Sequence, residues 1–147
     1  MINCFDGEFA FLSNFHPSMI TDGNEWFPTV EHYFQAAKTE TMEEYKAIAA
    51  ALTPGQAKRL GRHVTLRADW EEVKEQVMLD ALRKKFEIPA LREMLLITGD
   101  EELVEGNTWH DNRWGNCYCE KCKDIKGFNY LGRILMQIRE EIKEENN

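Results

Sequence analysis

The chain has 147 residues, 43% hydrophobic and 30% charged, which suits one domain able to bury a real core. Its net charge of −8 argues against broad electrostatic binding to duplex nucleic acid or to anionic membranes, while a local basic pocket stays open. No apolar run approaches membrane-spanning length and no signal-peptide pattern is present, so no membrane partner is expected. The cytoplasm is the expected compartment, and its redox state would keep the four cysteines reduced.

The first 27 residues are aromatic (Phe5, Phe9, Phe11, Phe15, Trp26, Phe27) and read as extended. Thr21-Asp22-Gly23-Asn24 is a hairpin signal, so a small β element is expected near the N-terminus. Pro28 keeps the chain extended before a helix that Thr29 caps. In that helix Val30, Tyr33, Phe34 and Ala37 recur at core spacing, while Glu31, Gln35 and Lys38 form a polar stripe at i, i+4 and i+7. A capping box at Thr41-Met42-Glu43-Glu44 opens a second helix to about Leu52. Thr53-Pro54 opens a third, with Gly61 as its stop. Asp69 caps a fourth whose core stripe is Val73, Val77, Met78, Ala81, Leu82 and Phe86. Pro89 starts a fifth that ends near Thr98-Gly99, and Leu103-Val104 suits a short strand. Gly106 to Gly127 has no period and carries Trp109, His110, Asp111, Asn112, Arg113, Trp114, Asn116 and three cysteines. The last helix begins near Asn129 and buries Leu131, Ile134, Leu135, Ile138 and Ile142. With no repeat, low-complexity stretch or linker, residues 1–147 read as a single domain. The expected class is α+β, compact and predominantly helical.

Three groups of side chains carry chemistry. Glu31 lies in a first helical turn, where the helix dipole favours an anion. Lys38 adds an amine two turns along, and Asp111 with Trp114 adds a second acid and an aromatic from the irregular stretch. Glycosidic cleavage needs an acidic group at the leaving atom and negative charge near an oxocarbenium-like sugar. An aromatic, Trp70 or Trp114, would stack on a leaving base. The plainer reading is a solvated helix edge, a turn-capping Asp111 and tryptophans in the core. Lys58, Arg59, Arg62, His63 and Arg67 form a basic group, in which Arg62 and Arg67 lie beyond the third helix and suit phosphate. Cys117-x-Cys119-x-x-Cys122 could complete a tetrahedral zinc site with His110 or Cys4, but the spacing lacks a clear fourth ligand and the two well-spaced pairs of a strong zinc signal, so clustered reduced thiols with no metal are the expected reading.

Several segments, in this order, resemble the YbiA-like family, also called NADAR. They are Phe11-Leu12-Ser13-Asn14-Phe15, Glu31-His32-Tyr33-Phe34-Gln35-Ala36-Ala37-Lys38, Gly61-Arg62, and the stretches around Trp70 to Met78 and Leu82 to Phe86. Leu103-Val104-Glu105, Asp111 with Trp114-Gly115, and Asn129 to Met136 complete the pattern. The resemblance implies a mostly helical α+β fold and an N-glycosidase that needs neither metal nor cofactor. It implies a small-molecule substrate in which a ribosyl carbon is bonded to an amino nitrogen on a nucleobase-like ring. Two substrate groups are associated with the family: ribosylamino-pyrimidine phosphates of riboflavin synthesis, and ADP-ribose on guanine, which a nucleic acid can present. By position Glu31, Lys38 and Asp111 would be catalytic, and Ser13, Asn14, Arg62, Trp114, Gly115 and Asn129 would shape the ligand site. Asn116 replaces an acidic residue of some relatives, which shifts weight to Asp111. The rival classes are a non-catalytic ADP-ribose or nucleotide reader and a zinc-stabilised interaction module. Oligomeric state is not legible.

Overall fold

The computed structural model describes residues 1–147. The chain forms two compact units, Asn14–Ile88 and Met1–Ser13 with Pro89–Asn147. Helix is the dominant element in both, with small sheets, so the expected α+β class holds.

In the unit Asn14–Ile88, strands β1 (Ile20–Thr21) and β2 (Trp26–Phe27) pair antiparallel, with Ile20 opposite Phe27. The Asp22 carboxylate makes their turn by accepting from the amides of Asn24 and Glu25, each at 2.9 Å. Gly23 supplies the positive φ of +96°. Helices α1 (Val30–Ala37), α2 (Met42–Ala49), α3 (Pro54–Gly61) and α4 (Trp70–Lys85) follow. The first three start on threonine caps: Thr29, Thr41 and Thr53 accept from the amides of His32, Glu44 and Gln56.

Helix α1 is the centre of this unit and packs on α2, α3 and α4. Every residue from Val30 to Ala36 is buried. The expected solvated edge is therefore absent: Glu31, His32 and Gln35 are as enclosed as the apolar face. Phe34 meets Trp70 edge to face at 5.0 Å between ring centres, and Phe27 meets Tyr33 the same way at 5.4 Å. His32 Nε2 donates to the carbonyl of Ala51 at 3.0 Å, because a carbonyl can only accept. Its Nδ1 lies 2.8 Å from the Thr29 hydroxyl, and in the neutral form that burial favours it accepts from that hydroxyl.

The C-terminal end of α1 is closed by Arg67. Its amide donates to the Lys38 carbonyl at 2.9 Å and its guanidinium to the Ala37 carbonyl at 3.3 Å. The same guanidinium meets both oxygens of Asp69, at 2.6 and 3.0 Å. Two expectations are corrected by this. Asp69 makes no side-chain cap on α4, and the Arg67 guanidinium, expected to suit phosphate, is engaged by Asp69 and the Ala37 carbonyl.

The other unit packs α5 (Pro89–Ile97) against α6 (Tyr130–Glu145), with a 3-10 turn over Gly7–Leu12 on α5. That turn corrects the extended reading of the N-terminus. Gly7 takes a φ of +55°, and Phe11 and Leu12 are buried at the turn's far end. Leu131, Leu135, Ile138 and Ile142 form the buried stripe of α6, and Ile134 is half-buried. Arg139 lies buried beside them, donating to the Thr98 hydroxyl and the Glu101 carbonyl, both at 2.8 Å. Leu103 forms one bridge with Ile2 rather than a strand. The sheet instead comes from β3 (Gly106–Asn107) and β4 (Asn116–Cys117), paired in parallel inside the stretch read as irregular.

Burial lowers the pKa of His32, against the opposing effect of its hydrogen bond to the Ala51 carbonyl. A depressed histidine binds its proton more readily in the unfolded chain, so its contribution is complete above the unfolded pKa of about 6.5 and fades as pH falls. Urea unfolding at pH 7.5 and pH 5 should show a smaller acid-induced loss of stability in His32→Gln than in the parent chain. The variant is expected to be less stable at the higher pH, because two buried hydrogen bonds are altered. Equal acid losses in both proteins would remove His32 from the pH response.

Candidate functional site

The unit Asn14–Ile88 holds the polar stripe of α1. Glu31 is in the first turn, its amide donating to the Asn14 carbonyl at 3.1 Å. Its carboxylate Oε1 accepts from Gln35 Nε2 at 2.8 Å. A carboxylate only accepts, so this contact orients the whole amide of Gln35. Gln35 Oε1 is thereby turned away, buried and without a protein donor. Asn14 Oδ1 is a second buried acceptor in the same condition.

Lys38 follows at the end of α1, half-buried. Its pKa is lowered, first by desolvation, with Glu31 opposing the shift and Arg62 reinforcing it. The amine is thus brought toward its neutral, nucleophilic form while an anion and a second cation sit within electrostatic reach. Arg62 caps α3 and is exposed, as a phosphate ligand requires.

Gly61 makes this arrangement possible. A Cβ there would collide with Gln35 Oε1 and come 2.7 Å from Gln35 Cδ and 3.0 Å from Lys38 Cε. Both side chains of the stripe therefore pass over a bare backbone. The sequence reading assigned Gly61 only a stop role, and Gln35 only a place on the stripe. The signal for more was that both lie in segments of the family pattern, Gln35 in Glu31–Lys38 and Gly61 in Gly61-Arg62. Trp70, proposed for stacking, is 7% exposed and packed on Phe34, so its ring is core.

In the other unit Asp111 Oδ1 accepts from the amides of Arg113 at 3.1 Å and Trp114 at 2.9 Å. The backbone of Asp111 is itself held at both atoms by the Asn107 amide, at 2.8 and 3.2 Å. Trp114 meets Tyr130 edge to face at 6.2 Å, and Arg113 lies over both rings at 5.9 and 5.4 Å. Gly115 is buried, and a Cβ there would strike Glu105 and approach Asn107 Nδ2 at 2.9 Å. Asn129 has both side-chain atoms engaged, donating to Leu103 O and accepting from Glu105 N, each at 2.9 Å. Ser13 ends the N-terminal 3-10 turn, its amide on Ala10 O at 2.9 Å. The predicted set is thus divided: Asn14, Glu31, Lys38, Arg62 and Trp70 in one unit, and Ser13, Asp111, Trp114, Gly115 and Asn129 in the other. His110, Cys117, Cys119 and Cys122 also come together there, with ligand atoms all within 4.8 Å of one another. Cys4 is exposed and stands outside that group.

The NADAR domain family model matches residues 4–143 of the chain. The chain is 45% identical over 141 residues to "N-glycosidase Npun_R5314" of Nostoc punctiforme, spanning 92% of this chain and 86% of that protein. It is 38% identical over 142 residues to "Riboflavin biosynthesis protein VVA0006" of Vibrio vulnificus, covering 95% of this chain but 37% of that longer protein. The solution structure of E. coli YbiA superimposes with a TM-score of 0.83 at 39% identity, covering 99% of this chain and 87% of that one.

The contact over Gly61 can be measured by a double-mutant cycle. Gly61→Ala should cost roughly 1–3 kcal/mol through overpacking. In a Gln35→Ala background the same substitution should cost much less, because the obstructing amide is gone. Additive losses in urea unfolding would show that Gly61 and Gln35 are not in steric contact.

Proposed function

Because the chain belongs to the NADAR family, we propose that this N-glycosidase cleaves the bond between a ribosyl C1 and an amino nitrogen of a nucleobase-like ring. We take residues 1–147 as one functional domain, since the family pattern runs through both units. The observation that carries the mechanism is the enclosed Glu31, fixed by Gln35 and paired electrostatically with the depressed amine of Lys38.

Glu31 supplies negative charge where positive charge develops at the anomeric carbon, and accepts from ribose hydroxyls before that step. Its restraint by Gln35 lowers the reorganisation needed during reaction. Lys38 offers a second route. An amine-linked ribose opens to an imine at C1. The neutral Lys38 amine adds to that carbon, its two protons pass to the base's amino nitrogen, and the C1–N bond to the base breaks so that the base departs as a free amine. The resulting Lys38–ribosyl Schiff base takes up water and releases the open sugar, restoring the amine. Arg62 is suited to the substrate phosphate. For Asp111, proton delivery to the departing nitrogen rests on the family pattern, and so does stacking by Trp114.

Both substrate groups contain this linkage and a phosphate. The riboflavin name on one relative supports ribosylamino-pyrimidine phosphates, and ADP-ribosyl-guanine is the second substrate to be assayed. Release of free base from either confirms a hydrolase, whereas tight binding without release identifies a reader.

Glu31→Gln should fold normally and lose most turnover, about a hundredfold or more. Near-normal hydrolysis by the folded variant would exclude Glu31. Borohydride added during turnover should trap the ribosyl group on the parent protein, and Lys38→Ala should abolish both adduct and activity. Lys38→Arg keeps the charge without an imine-forming amine. Full activity in that variant, with no adduct in the parent, would select the direct oxocarbenium route.

A further inference from the structure

We infer that His110, Cys117, Cys119 and Cys122 form a structural zinc site that fastens the 107–127 segment. His110 Nδ1 lies 3.3 Å from Cys119 Sγ, 3.4 Å from Cys122 Sγ and 3.9 Å from Cys117 Sγ. Tetrahedral zinc with ordinary Zn–S and Zn–N bonds places nitrogen and sulfur about 3.6 Å apart, and two sulfurs about 3.8 Å apart. All four ligand atoms lie within 4.8 Å of one another, so small rotations close the tetrahedron. Three soft thiolates with one imidazole suit zinc, and four protein ligands leave no open position for catalysis.

The backbone is shaped around the same point. His110 has a φ of +69°, an uncommon conformation for a residue with a side chain. Cys119 caps a 3-10 turn ending at Cys122, whose amide donates to the Cys119 carbonyl at 3.0 Å. The Cys119 amide points at Cys117 Sγ at 3.5 Å, a donor suited to a thiolate. No disulfide uses these sulfurs, and Cys117 and Cys122 are buried. His110 is exposed and Cys119 half-buried, so the ion would sit at the surface with two of its thiolates drawn from the interior.

The placement gives the ion a task. Cys117 is in β4, and its amide donates to Asn112 Oδ1 at 2.8 Å. His110 immediately precedes Asp111, whose carboxylate holds the turn to Trp114. One ion therefore ties both arms of a segment that has only a two-residue strand at each arm and one 3-10 turn. Metal binding then contributes folding free energy that a sparse local core does not. The proposal is independent of the N-glycosidase reading and adds no catalytic metal to it.

The test uses the 147-residue chain purified under reducing conditions without a metal-affinity tag or chelator. Elemental analysis should find one zinc per chain, released when a mercurial titrates the thiols. Cobalt added to the metal-free protein should give the intense visible bands of tetrahedral thiolate coordination. Those bands should disappear in Cys119→Ser and His110→Asn and persist in Cys4→Ser. Metal removal should expose 107–127 to protease while cleavage within residues 14–88 stays slow. Metal-free protein as purified that also gives no cobalt spectrum would overturn the site. So would a disulfide among the three cysteines in fully folded protein, or a cobalt spectrum unchanged in both ligand variants.

Discussion

The contact between the Gln35 amide and the Glu31 carboxylate, made over the bare backbone of Gly61, is the constraint around which the unit Asn14–Ile88 is organised. An eight-residue helix is not stable in water by itself, so α1 exists because three other helices enclose it. Enclosure takes a carboxylate out of water, which is tolerable only where donors and the positive end of a helix remain. The Thr29-capped first turn and Gln35 provide these. The helices can close this tightly only where Gly61 has no side chain. Packing and polarity at α1 are thus one arrangement, and a substitution that loosens either alters both.

Lys38 shows how position on that helix tunes chemistry. At the end of α1 it keeps partial access to solvent, yet burial outweighs the attraction of Glu31 and lowers its pKa. A lysine farther along, on a solvated turn, would remain an ordinary cation. Arg67 contributes from the side by closing the last carbonyls of α1, which fixes the backbone from which Lys38 extends. Its partner Asp69 absorbs the guanidinium that would otherwise compete for anions.

The 107–127 segment is ordered by a different means. Asn107, Asn112 and Asn116 each bond the backbone from a side chain, and Asn129 does so from the start of α6 at a left-handed φ of 51°. Gly115 and Gly127 let backbone strands approach where a Cβ would collide. Side-chain amides in this way replace the ladder hydrogen bonds that a longer sheet would supply. Phe128 stacks on Tyr130 at 5.5 Å, and Arg133 lies over the same ring at 5.8 Å, which anchors the segment's exit into α6.

The sequence by itself determined the helices, their threonine caps, the Asp22-Gly23 turn and the family, because these depend on local spacing and on motifs kept in order. It placed Glu31, Gln35 and Lys38 on one stripe, since helical periodicity alone does that. It missed the 3-10 turn at Gly7–Leu12 and the parallel β3–β4 pair, because short aromatic or polar runs carry no period that separates strand from turn. Only the tertiary structure decided that the stripe is buried, that Trp70 is core while Trp26 is 60% exposed, and that Arg67 closes a helix. Only it chose His110 over Cys4 as the neighbour of the three thiols. Burial and partner choice depend on which surfaces meet, and residues such as Gln35 and Gly61, distant along the chain, acquire their roles only where the fold brings their atoms into contact.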